Sequence, residues 1–493
     1  MNLASGMQLS QLLAGVAAVS RDVLLTDLTL DSRAVRPGGA FLACRGARHH
    51  GLDFAADVAR RGAAAILWEP DGRIAPPQLD SGIVLAEVPR LAERASELAD
   101  RFFAAPSREL AVVGVTGTNG KTTCAWLLAQ ALTICGRPAA YLGTLGSAFG
   151  GALVAGEMTT PDAITVQRQL ADFRARGARQ VAMEVSSHGL AQGRVQAVHF
   201  DAAVFTNLTR DHLDFHGDMA SYGAAKASLF ERDAVRLRVF NVDDAFGSAL
   251  AQRAGFAGRI ACSRIAAAAA PFLFASDIQY TAAGTAFTLQ SSFGSVKASS
   301  ALLGEFNVDN LLAVLAVLLG SGVSLEAAAG AVRELRAPSG RLETFATVNG
   351  PTAVIDYAHT PDALDKALQV LRRHCDGKLT VVFGCGGDRD RGKRPEMGAI
   401  AGRLADGIVL TDDNPRTEDG DRIIADIKAG LGGQAVEVIR DRRAAIVHAL
   451  STAAAGDVVL VAGKGHEDYQ IVGTEKRFFS DQQVLRETLR GAV

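Results

Sequence analysis

Apolar residues along the chain fall into short continuous runs, separated by stretches whose apolar positions lie three or four residues apart. The short runs are typical of strands buried on both faces, and the spaced stretches are typical of helices. Strands that alternate with helices form parallel sheets covered on both sides. The pattern therefore predicts an α/β fold. The runs predicted as strands are GAFLACRG (39–46), ELAVVGV (109–115), QVAMEVS (180–186), DAAVFTN (201–207), RLRVFNV (236–242), TAVIDYA (352–358), KLTVVFG (378–384), GIVLTDD (407–413), AVEVIRD (435–441) and DVVLVAGKG (457–465).

Three stretches are predicted as helices from their apolar spacing. Residues 54–68, FAADVARRGAAAILW, form one helix-like stretch, and an amphipathic helix is predicted to follow residue 120. The longest apolar run, LLAVLAVLL from Leu311 to Leu319, is about half the length of a membrane span. We interpret it as a buried helix.

The chain is predicted to contain three domains. With 493 residues it is too long for a single hydrophobic core, and about three domains is the expected number. Proline-containing breaks around Pro106 and Pro338 divide it into segments 1–106, 107–337 and 338–493.

Charge and cysteine content narrow the class of protein. The net charge is −2, from 51 Lys+Arg and 53 Asp+Glu, whereas nucleic-acid and membrane-surface proteins need a cationic excess. The first residues lack the features of a signal peptide. We expect a cytoplasmic protein that neither binds nucleic acid nor inserts into a membrane. Its six cysteines form no CxxC pair, which favours reduced thiols over disulfides or zinc ligands.

The segment Gly117–Thr123, GTNGKTT, is predicted to bind the phosphates of ATP. It lies between a strand and a helix, where glycines let backbone N–H groups approach an anion. Lys121 is positioned to reach the terminal phosphates and Thr122 to bind Mg²⁺. The match by residues alone is incomplete, because Val115 stands where the general pattern has its first glycine. The predicted ATP-binding residues of this loop are Gly117, Thr118, Asn119, Gly120, Lys121, Thr122 and Thr123.

Two further side chains follow predicted strands of the same segment. Glu184 ends one strand and His212 lies beyond the next, and ligands collect at the carboxyl ends of strands in open α/β sheets. Glu184 is therefore a candidate Mg²⁺ ligand. From the residues alone, His212 is either a structural histidine or a zinc ligand together with His216.

Twelve motifs, in order, resemble those of the Mur ligases, the ATP-dependent ligases of peptidoglycan assembly. The VTGTNGKTT spelling is the family's own form of the phosphate loop, which accounts for Val115. Within the family the motifs are most similar to those of members that add meso-diaminopimelate. The motifs are DSR (31–33), TGTNGKTT (116–123), TTPD (159–162), EVSSHGLAQGR (184–194), NLTRDHLDFHG (207–217), YGAAKASLF (222–230), GEFNVDN (304–310), PSGRLE (338–343), DYAHTPDAL (356–364), GCGGDRDRGKRP (384–395), DDNPR (412–416) and GKGHEDYQ (463–470).

The resemblance implies a separate role for each of the three domains. The first would bind the UDP end of one substrate, the central one would be an ATPase with a parallel sheet, and the Rossmann-like third would bind the incoming amino acid. It implies that Thr122, Glu184 and His212 contact Mg²⁺. It also marks Lys226 as a lysine carbamylated by CO₂, which turns a cation into a carboxylate-like metal ligand. Without the resemblance, Lys226 would be predicted to be solvent-exposed. The implied catalytic residues are Lys121, Glu184, His212 and Lys226.

The resemblance also implies three sets of binding residues. Those for the UDP-linked substrate are Leu30, Ser32, Ala47, Arg48, His49, Thr159, Thr160, Ser186, Gln192 and Arg194. Additional nucleotide contacts are Asn310, Arg341 and His359. Those for diaminopimelate are Arg389, Asp413, Asn414, Pro415, Arg416, Gly463 and Glu467.

The implied reaction joins meso-diaminopimelate to UDP-MurNAc-L-Ala-D-Glu through an acyl phosphate, by a monomeric enzyme. Arg416 is predicted to bind the extra carboxylate that distinguishes diaminopimelate from lysine, since a guanidinium forms two-pronged bonds. Read in isolation, the stretch around it, DDNPRTE, is a solvated strand-end loop. The alternatives are a lysine-adding Mur ligase, an enzyme similar to folylpolyglutamate synthetase, and a non-catalytic nucleotide-binding scaffold.

Overall fold

The computed structural model describes residues 6–46, 49–72, 77–79, 82–267, 269, 271–281, 283–346 and 350–490. The chain folds into two compact units, one up to Cys262 and the other from Ser263 onward. The α/β class predicted from the sequence is confirmed in both units. The boundaries near residues 106 and 337 stay a prediction.

The first unit begins with a small parallel sheet. Its four strands lie in chain order: Asp27–Thr29, Gly39–Ala43, Ala65–Trp68 and Val84–Glu87. The short strands Met7–Gln8 and Leu24–Leu25 pair beside it. The accompanying helices are Leu9–Leu12, Ala55–Arg60 and Leu91–Phe102, with 3₁₀ turns at Ser32–Ala34, Gly51–Phe54 and Pro106–Arg108.

The prediction of one helical stretch over residues 54–68 is confirmed for Ala55–Arg60 and wrong for Ala65–Trp68. The helix stops at Arg60, and Gly62 follows with a φ of +81°. Such a left-handed residue ends a helix, and glycine adopts it without a Cβ penalty. The buried run Ala65–Trp68 is then free to continue as a strand between two neighbours.

The larger sheet of the first unit carries the phosphate loop. Its parallel strands lie in the order Ala139–Gly143, Gln180–Glu184, Ala111–Thr116, Ala202–Phe205, Leu237–Asn241 and Arg259–Ser263. An antiparallel hairpin, Gly146–Phe149 and Ala152–Val154, adds to one edge. The helices are Lys121–Ile134, Ala163–Ala175, Ser187–Ala191, Leu213–His216, Met219–Ala227 and Ala245–Ala251.

The helix Lys121–Ile134 differs from its predicted amphipathic character. Its buried residues occur on several faces, from Cys124 to Leu132. The helix packs along the strands Ala139–Gly143 and Gln180–Glu184. A helix covered on most sides needs no polar stripe.

The second unit opens with a three-stranded antiparallel meander that the sequence interpretation missed. Its strands are Phe272–Thr281, Gly284–Ser291 and Gly294–Ser300, and they pair in sequence. No strands were predicted for this stretch, and its strands are antiparallel because connections this short can join only antiparallel neighbours. The helices Glu305–Gly320 and Leu325–Glu334 follow. The first contains Leu311–Leu319, so the prediction of a buried helix there is confirmed.

The remaining sheet has the predicted alternation of strand and helix. Its order is Glu343–Ala346, Thr352–Asp356, Val458–Ala462, Leu379–Phe383, Gly407–Leu410 and Glu437–Val438, parallel except for the first. Buried apolar residues cover both faces. The helices are Pro361–Arg372, Lys393–Leu404, Gly420–Lys428, Arg442–Thr452 and Asp481–Arg490, with a 3₁₀ turn at Ala429–Leu431 and a hairpin of Tyr469–Val472 and Glu475–Phe478.

Two further features concern the cysteines and the length of the helices. All six cysteines carry free thiols. Within the described ranges, no helix has both the length and the apolar character needed to cross a bilayer.

Candidate active site

The phosphate loop joins the central strand Ala111–Thr116 to the helix that begins at Lys121. Gly117 has a φ of +150°, and a Cβ there would lie 1.9 Å from Thr206 Oγ1, so no other residue fits. Asn207, at the end of the neighbouring strand, accepts hydrogen bonds from Thr118 N at 2.8 Å and from Asn119 N at 2.9 Å. The loop is thereby braced at a helix N-terminus, where backbone dipoles favour an anion.

Lys121 curls over its own loop. Its Nζ donates to the carbonyl oxygens of Gly117, at 3.0 Å, and Thr118, at 2.8 Å. Burial lowers the pKa of this ammonium, and Glu184 and Asp211 oppose the shift. These two hydrogen bonds hold the Nζ atom against the anion-binding loop.

Glu184 is fully buried and held by several donors. Oε2 accepts from Thr122 Oγ1 at 2.9 Å and from Thr144 Oγ1 at 3.2 Å. Oε1 accepts from Tyr141 OH at 2.6 Å and from Thr144 N at 2.8 Å. The carboxylate and the Thr122 hydroxyl thus form a fixed pair of oxygen donors beside the phosphate loop.

This oxygen pair fits Mg²⁺ better than zinc. Mg²⁺ is usually held by one or two carboxylates and by substrate phosphates, without a cage made only of protein ligands. In the part of the chain that the structure describes, no three His, Cys, Asp or Glu side chains converge to hold a metal ion. Among the described residues, the zinc alternative for His212 and His216 therefore has no third side chain that converges with them on one metal position.

His212 lies on a strained loop beside two other histidines. Its φ is +52°, an unusual value for a residue with a Cβ, and its ring is 4.8 Å, edge-on, from that of His188. Its Nε2 lies 3.4 Å from Asp211. Burial, followed by neighbouring histidines, lowers the pKa values of His188 and His216. Both rings therefore favour the neutral form near the candidate metal position.

Lys226 is buried, so the interpretation of an exposed helix lysine is wrong. It is 1% exposed on the helix Met219–Ala227, and its Nζ donates to Gly117 O at 2.7 Å. The same Nζ lies 4.4 Å from the centre of the Tyr222 ring. Burial and the nearby charge of Lys121 lower the pKa of Lys226 to about 6. At neutral pH much of this amine is therefore unprotonated.

Five of the predicted UDP-substrate residues lie together at the carboxyl end of the large sheet. Thr160 Oγ1 donates to Glu184 O at 3.0 Å and accepts from Ser186 N at 2.9 Å. Arg194 donates to Thr160 O at 2.7 Å and to Gln192 Oε1 at 2.9 Å. The Thr159 hydroxyl lies 2.9 Å from that of Thr144, which itself contacts Glu184.

The other predicted UDP-substrate residues belong to the four-stranded sheet. Leu30 follows the strand Asp27–Thr29, and Ser32 begins the 3₁₀ turn Ser32–Ala34. The exposed His49 lies 3.8 Å from Asp53. Ala47 and Arg48 fall outside the described residues.

In the second unit, two arginines predicted to bind diaminopimelate flank Gly386. A Cβ on Gly386 would lie 2.9 Å from Arg416 Nη1 and 3.6 Å from Arg389 Cγ. Arg416 has a φ of +50°, and its side chain donates to Gly387 O at 2.8 Å. Its backbone N donates to Ile471 O at 3.0 Å. The loop is therefore tied down on both sides, and the interpretation of DDNPRTE as a solvated loop is wrong for its buried residues Asp413, Asn414 and Pro415.

The predicted acidic and amide groups lie next to these arginines. Asn414 Nδ2 donates to Glu467 Oε2 at 3.2 Å. A Cβ on Gly463 would lie 2.5 Å from Asp413 Oδ2, so glycine lets the two loops approach. Two carboxylates and two guanidinium groups thus collect at the carboxyl end of this sheet.

The predicted nucleotide residues of the second unit are less closely grouped. His359 Nδ1 lies 2.9 Å from Tyr357 O, and Arg341 packs 5.6 Å above the Tyr357 ring. Asn310 is buried in a helix and donates to Asn307 Oδ1 at 3.0 Å. None of the three lines the cavity of about 350 Å³ in the same unit, whose lining residues are Arg264, Tyr280, Gly304, Glu305, Phe306, Leu342, Asp356, Ala363, Lys366, Ala367, Gln369, Val370, Arg373 and His374.

Comparison with known families explains this combination of sites. Three family models match in order: "Mur ligase family, catalytic domain" over residues 25–103, "Mur ligase middle domain" over 115–318, and "Mur ligase, glutamate ligase domain" over 340–465. The chain belongs to the Mur ligase family. Each group of site residues described above lies within one of these matched stretches or immediately beside it.

Several relatives of this Mur ligase share the same name. UDP-N-acetylmuramoyl-L-alanyl-D-glutamate–2,6-diaminopimelate ligase from Ectopseudomonas mendocina is 49% identical over 98% of both chains. The enzyme of that name from Pseudomonas aeruginosa is 49% identical over 94% of both chains. A solved structure of an enzyme so named is 35% identical, covers 95% of both chains and has a TM-score of 0.74. MurF from Acinetobacter baumannii, 18% identical over 99% of both chains with a TM-score of 0.68, shares the fold.

The sequence interpretation of this Mur ligase missed the residues that orient its predicted ligands. Tyr141 and Thr144 hold Glu184, and Lys464 contacts Asn414 at 2.9 Å. The only available signal was position: Thr144 directly follows a strand, and Lys464 lies inside the motif GKGHE. Neither position reveals which side chain it will meet.

We predict that Tyr141→Phe weakens metal binding. The variant removes the 2.6 Å hydrogen bond to Glu184 and leaves the edge-on packing of the ring on Trp126. Loss of a group that orients a metal ligand costs about tenfold in affinity. Binding of Mn²⁺, used in place of Mg²⁺ in the presence of ADP and followed by electron paramagnetic resonance, measures the change. Tyr280→Phe is the control and should bind Mn²⁺ normally; equal affinity in both variants would contradict the role of Tyr141.

Proposed function

We propose that this Mur ligase adds meso-diaminopimelate to UDP-MurNAc-L-Ala-D-Glu at the expense of ATP. The observation that carries the proposal is that two guanidinium groups, of Arg389 and Arg416, and two carboxylates, of Asp413 and Glu467, lie on loops at the same end of one sheet. Meso-diaminopimelate carries two ammonium and two carboxylate groups, so it needs partners of both signs. The names of the relatives that match nearly the whole chain support this substrate.

The proposed chemistry proceeds through an activated acid. A carboxylate does not condense with an amine in water, because oxide is too poor a leaving group. Transfer of the γ-phosphoryl group of ATP to the γ-carboxylate of the D-glutamyl residue would give an acyl phosphate. The amine of diaminopimelate would then attack the acyl carbon, and phosphate would leave. Phosphoryl transfer depends mainly on alignment and on charge neutralisation.

Specific side chains supply these needs. Lys121, held above the phosphate loop, would neutralise charge that develops on the transferred group. Thr122 and Glu184 would hold a Mg²⁺ ion, whose chemical contribution is to screen the repulsion between the phosphates and the acceptor carboxylate. His212 and carbamylated Lys226 would hold a second such ion.

Two enzymatic alternatives fit the site less well. A lysine-adding ligase has no use for Arg416, because lysine lacks the second carboxylate. Folylpolyglutamate synthase from Mycobacterium tuberculosis shares the fold at 19% identity and a TM-score of 0.57, which supports no shared substrate. A non-catalytic scaffold is disfavoured because Lys121, Glu184 and His212 are all present. We further propose a cytoplasmic monomer that acts on small molecules and not on nucleic acid.

We predict that the purified protein releases phosphate from ATP only when both substrates are present. Attack by diaminopimelate completes the cycle, so omission of either UDP-MurNAc-L-Ala-D-Glu or meso-diaminopimelate should reduce release to background. A coupled phosphate assay and mass spectrometry of the product measure this. Comparable release with L-lysine in place of meso-diaminopimelate would overturn the substrate assignment.

Lys226→Ala is expected to lose most ligase activity, and added bicarbonate should not restore it. CO₂ reacts with a neutral amine, and a lysine whose pKa is about 6 is largely neutral above that pH. The wild-type protein, but not the variant, should therefore give a carbamate signal with ¹³C-bicarbonate that grows from pH 6 to pH 8. Lys297→Ala, on the exposed surface of a strand, is the control. Near-normal turnover of Lys226→Ala would contradict the assignment.

Arg416→Ala is expected to impair diaminopimelate addition far more than ATP binding. Loss of a charge-assisted hydrogen bond costs about 1.5–3 kcal/mol, which corresponds to roughly a 10- to 150-fold fall in kcat/KM for meso-diaminopimelate. The Kd for ADP should change little. Arg477→Ala, on the exposed neighbouring hairpin, is the matched control. An unchanged preference for meso-diaminopimelate over L-lysine would refute the role of Arg416.

A further inference from the structure

Lys464 is a fully buried cation at the centre of the proposed amino-acid site. It lies in the loop after the strand Val458–Ala462, and its side chain is 0% exposed. Its Nζ donates to Asn414 Oδ1 at 2.9 Å and to Tyr469 O at 2.7 Å. Lys464 therefore joins the loop that carries Arg416 to the hairpin that begins at Tyr469.

These contacts determine the orientation of the Asn414 amide. An ammonium can only donate, so the amide oxygen must face Lys464. The same oxygen also accepts from Ile471 N at 2.9 Å. The amide nitrogen is left to face Glu467 Oε2, at 3.2 Å. A flipped amide would place two donors against the ammonium and an oxygen against the carboxylate.

Lys464 also balances two mostly buried carboxylates. Its Nζ lies 4.0 Å from both Asp413 Oδ1 and Glu467 Oε2, whose side chains are 11% and 19% exposed. Buried carboxylates without a nearby cation repel one another strongly. Arg394 and Arg442, which are also buried at this end of the sheet, are engaged by Glu418 at 3.0 Å and by Asp481 at 2.7 Å. Lys464 is thus the cation that contacts the acidic side of the site most directly.

We propose that Lys464 is a positioning residue for the incoming diamino acid. It holds Asp413, Asn414 and Glu467 in the arrangement that receives an ammonium group, while Arg389 and Arg416 receive carboxylate. Its own Nζ is enclosed by protein and bonded to protein oxygens, so it acts through these neighbours and not by contact with the amino acid. This inference rests on the proposed function and deepens it.

Lys464→Met tests the proposal, because it keeps the length of the side chain and removes the ammonium. We expect the KM for meso-diaminopimelate to rise at least tenfold, while the KM values for ATP and UDP-MurNAc-L-Ala-D-Glu stay within twofold. The preference for meso-diaminopimelate over L-lysine should fall as well. Lys476→Met is the control, since this exposed lysine lies 3.8 Å from the ring of the same Tyr469. It should leave all three KM values unchanged.

A double-mutant cycle separates positioning from general damage. If Lys464 acts through the amide, Asn414→Ala and Lys464→Met should be strongly non-additive in their effect on the KM for meso-diaminopimelate. If Lys464→Met does not fold, as judged by circular dichroism, Lys464→Gln replaces it under the same criteria.

Three results would overturn the inference. One is an unchanged KM for meso-diaminopimelate in Lys464→Met when the wild-type enzyme is active. This result would leave the proposed function intact. Another is an equal loss in all three KM values, which would indicate a structural role only. A wild-type protein that does not add meso-diaminopimelate would overturn the proposed function and this inference together.

Discussion

Two lysine side chains share one carbonyl oxygen, and the chemistry of the first unit depends on how these two buried amines are held. Lys121 and Lys226 both donate to Gly117 O, at 3.0 and 2.7 Å. Burial, together with the nearby charge of Lys121, lowers the pKa of Lys226 to about 6, and burial also lowers the pKa of Lys121. The loop therefore has beside it a largely unprotonated Lys226 amine at neutral pH, the form in which an amine reacts with CO₂.

The second unit has a different requirement. It must hold positively and negatively charged side chains in one site without letting them neutralise one another. Its loops place guanidinium groups around Gly386 and carboxylates around Lys464. Several of the predicted side chains are tied to backbone or to a buried partner, as in the hydrogen bonds from Arg416 to Gly387 O and from Lys464 to Asn414 Oδ1. Such preorganisation reduces the entropy that is lost when a small polar ligand binds.

Particular residues show how far sequence could lead. The Gly-rich loop and Glu184 were predicted because a strand, a glycine turn and a helix form a local pattern, and strand ends of a parallel sheet share one edge. Several parallel strands of both units, among them Ala202–Phe205 and Leu379–Phe383, were predicted from their continuous apolar runs. The antiparallel strands between 272 and 300 and the strand Ala65–Trp68 were missed, because apolar runs do not reveal their pairing partners. Lys226 looked exposed, since its partner Gly117 lies 109 residues earlier.

By itself the sequence determined the class of fold, the family resemblance and the identity of the chemical groups, because each of these follows from local residue patterns and motifs. Only the tertiary structure decided which groups meet. It buried Lys226 against the phosphate loop, assigned Tyr141 and Thr144 to Glu184, and turned the Asn414 amide towards Glu467. Burial and hydrogen-bond direction depend on atoms brought together from distant parts of the chain, and no local pattern encodes them.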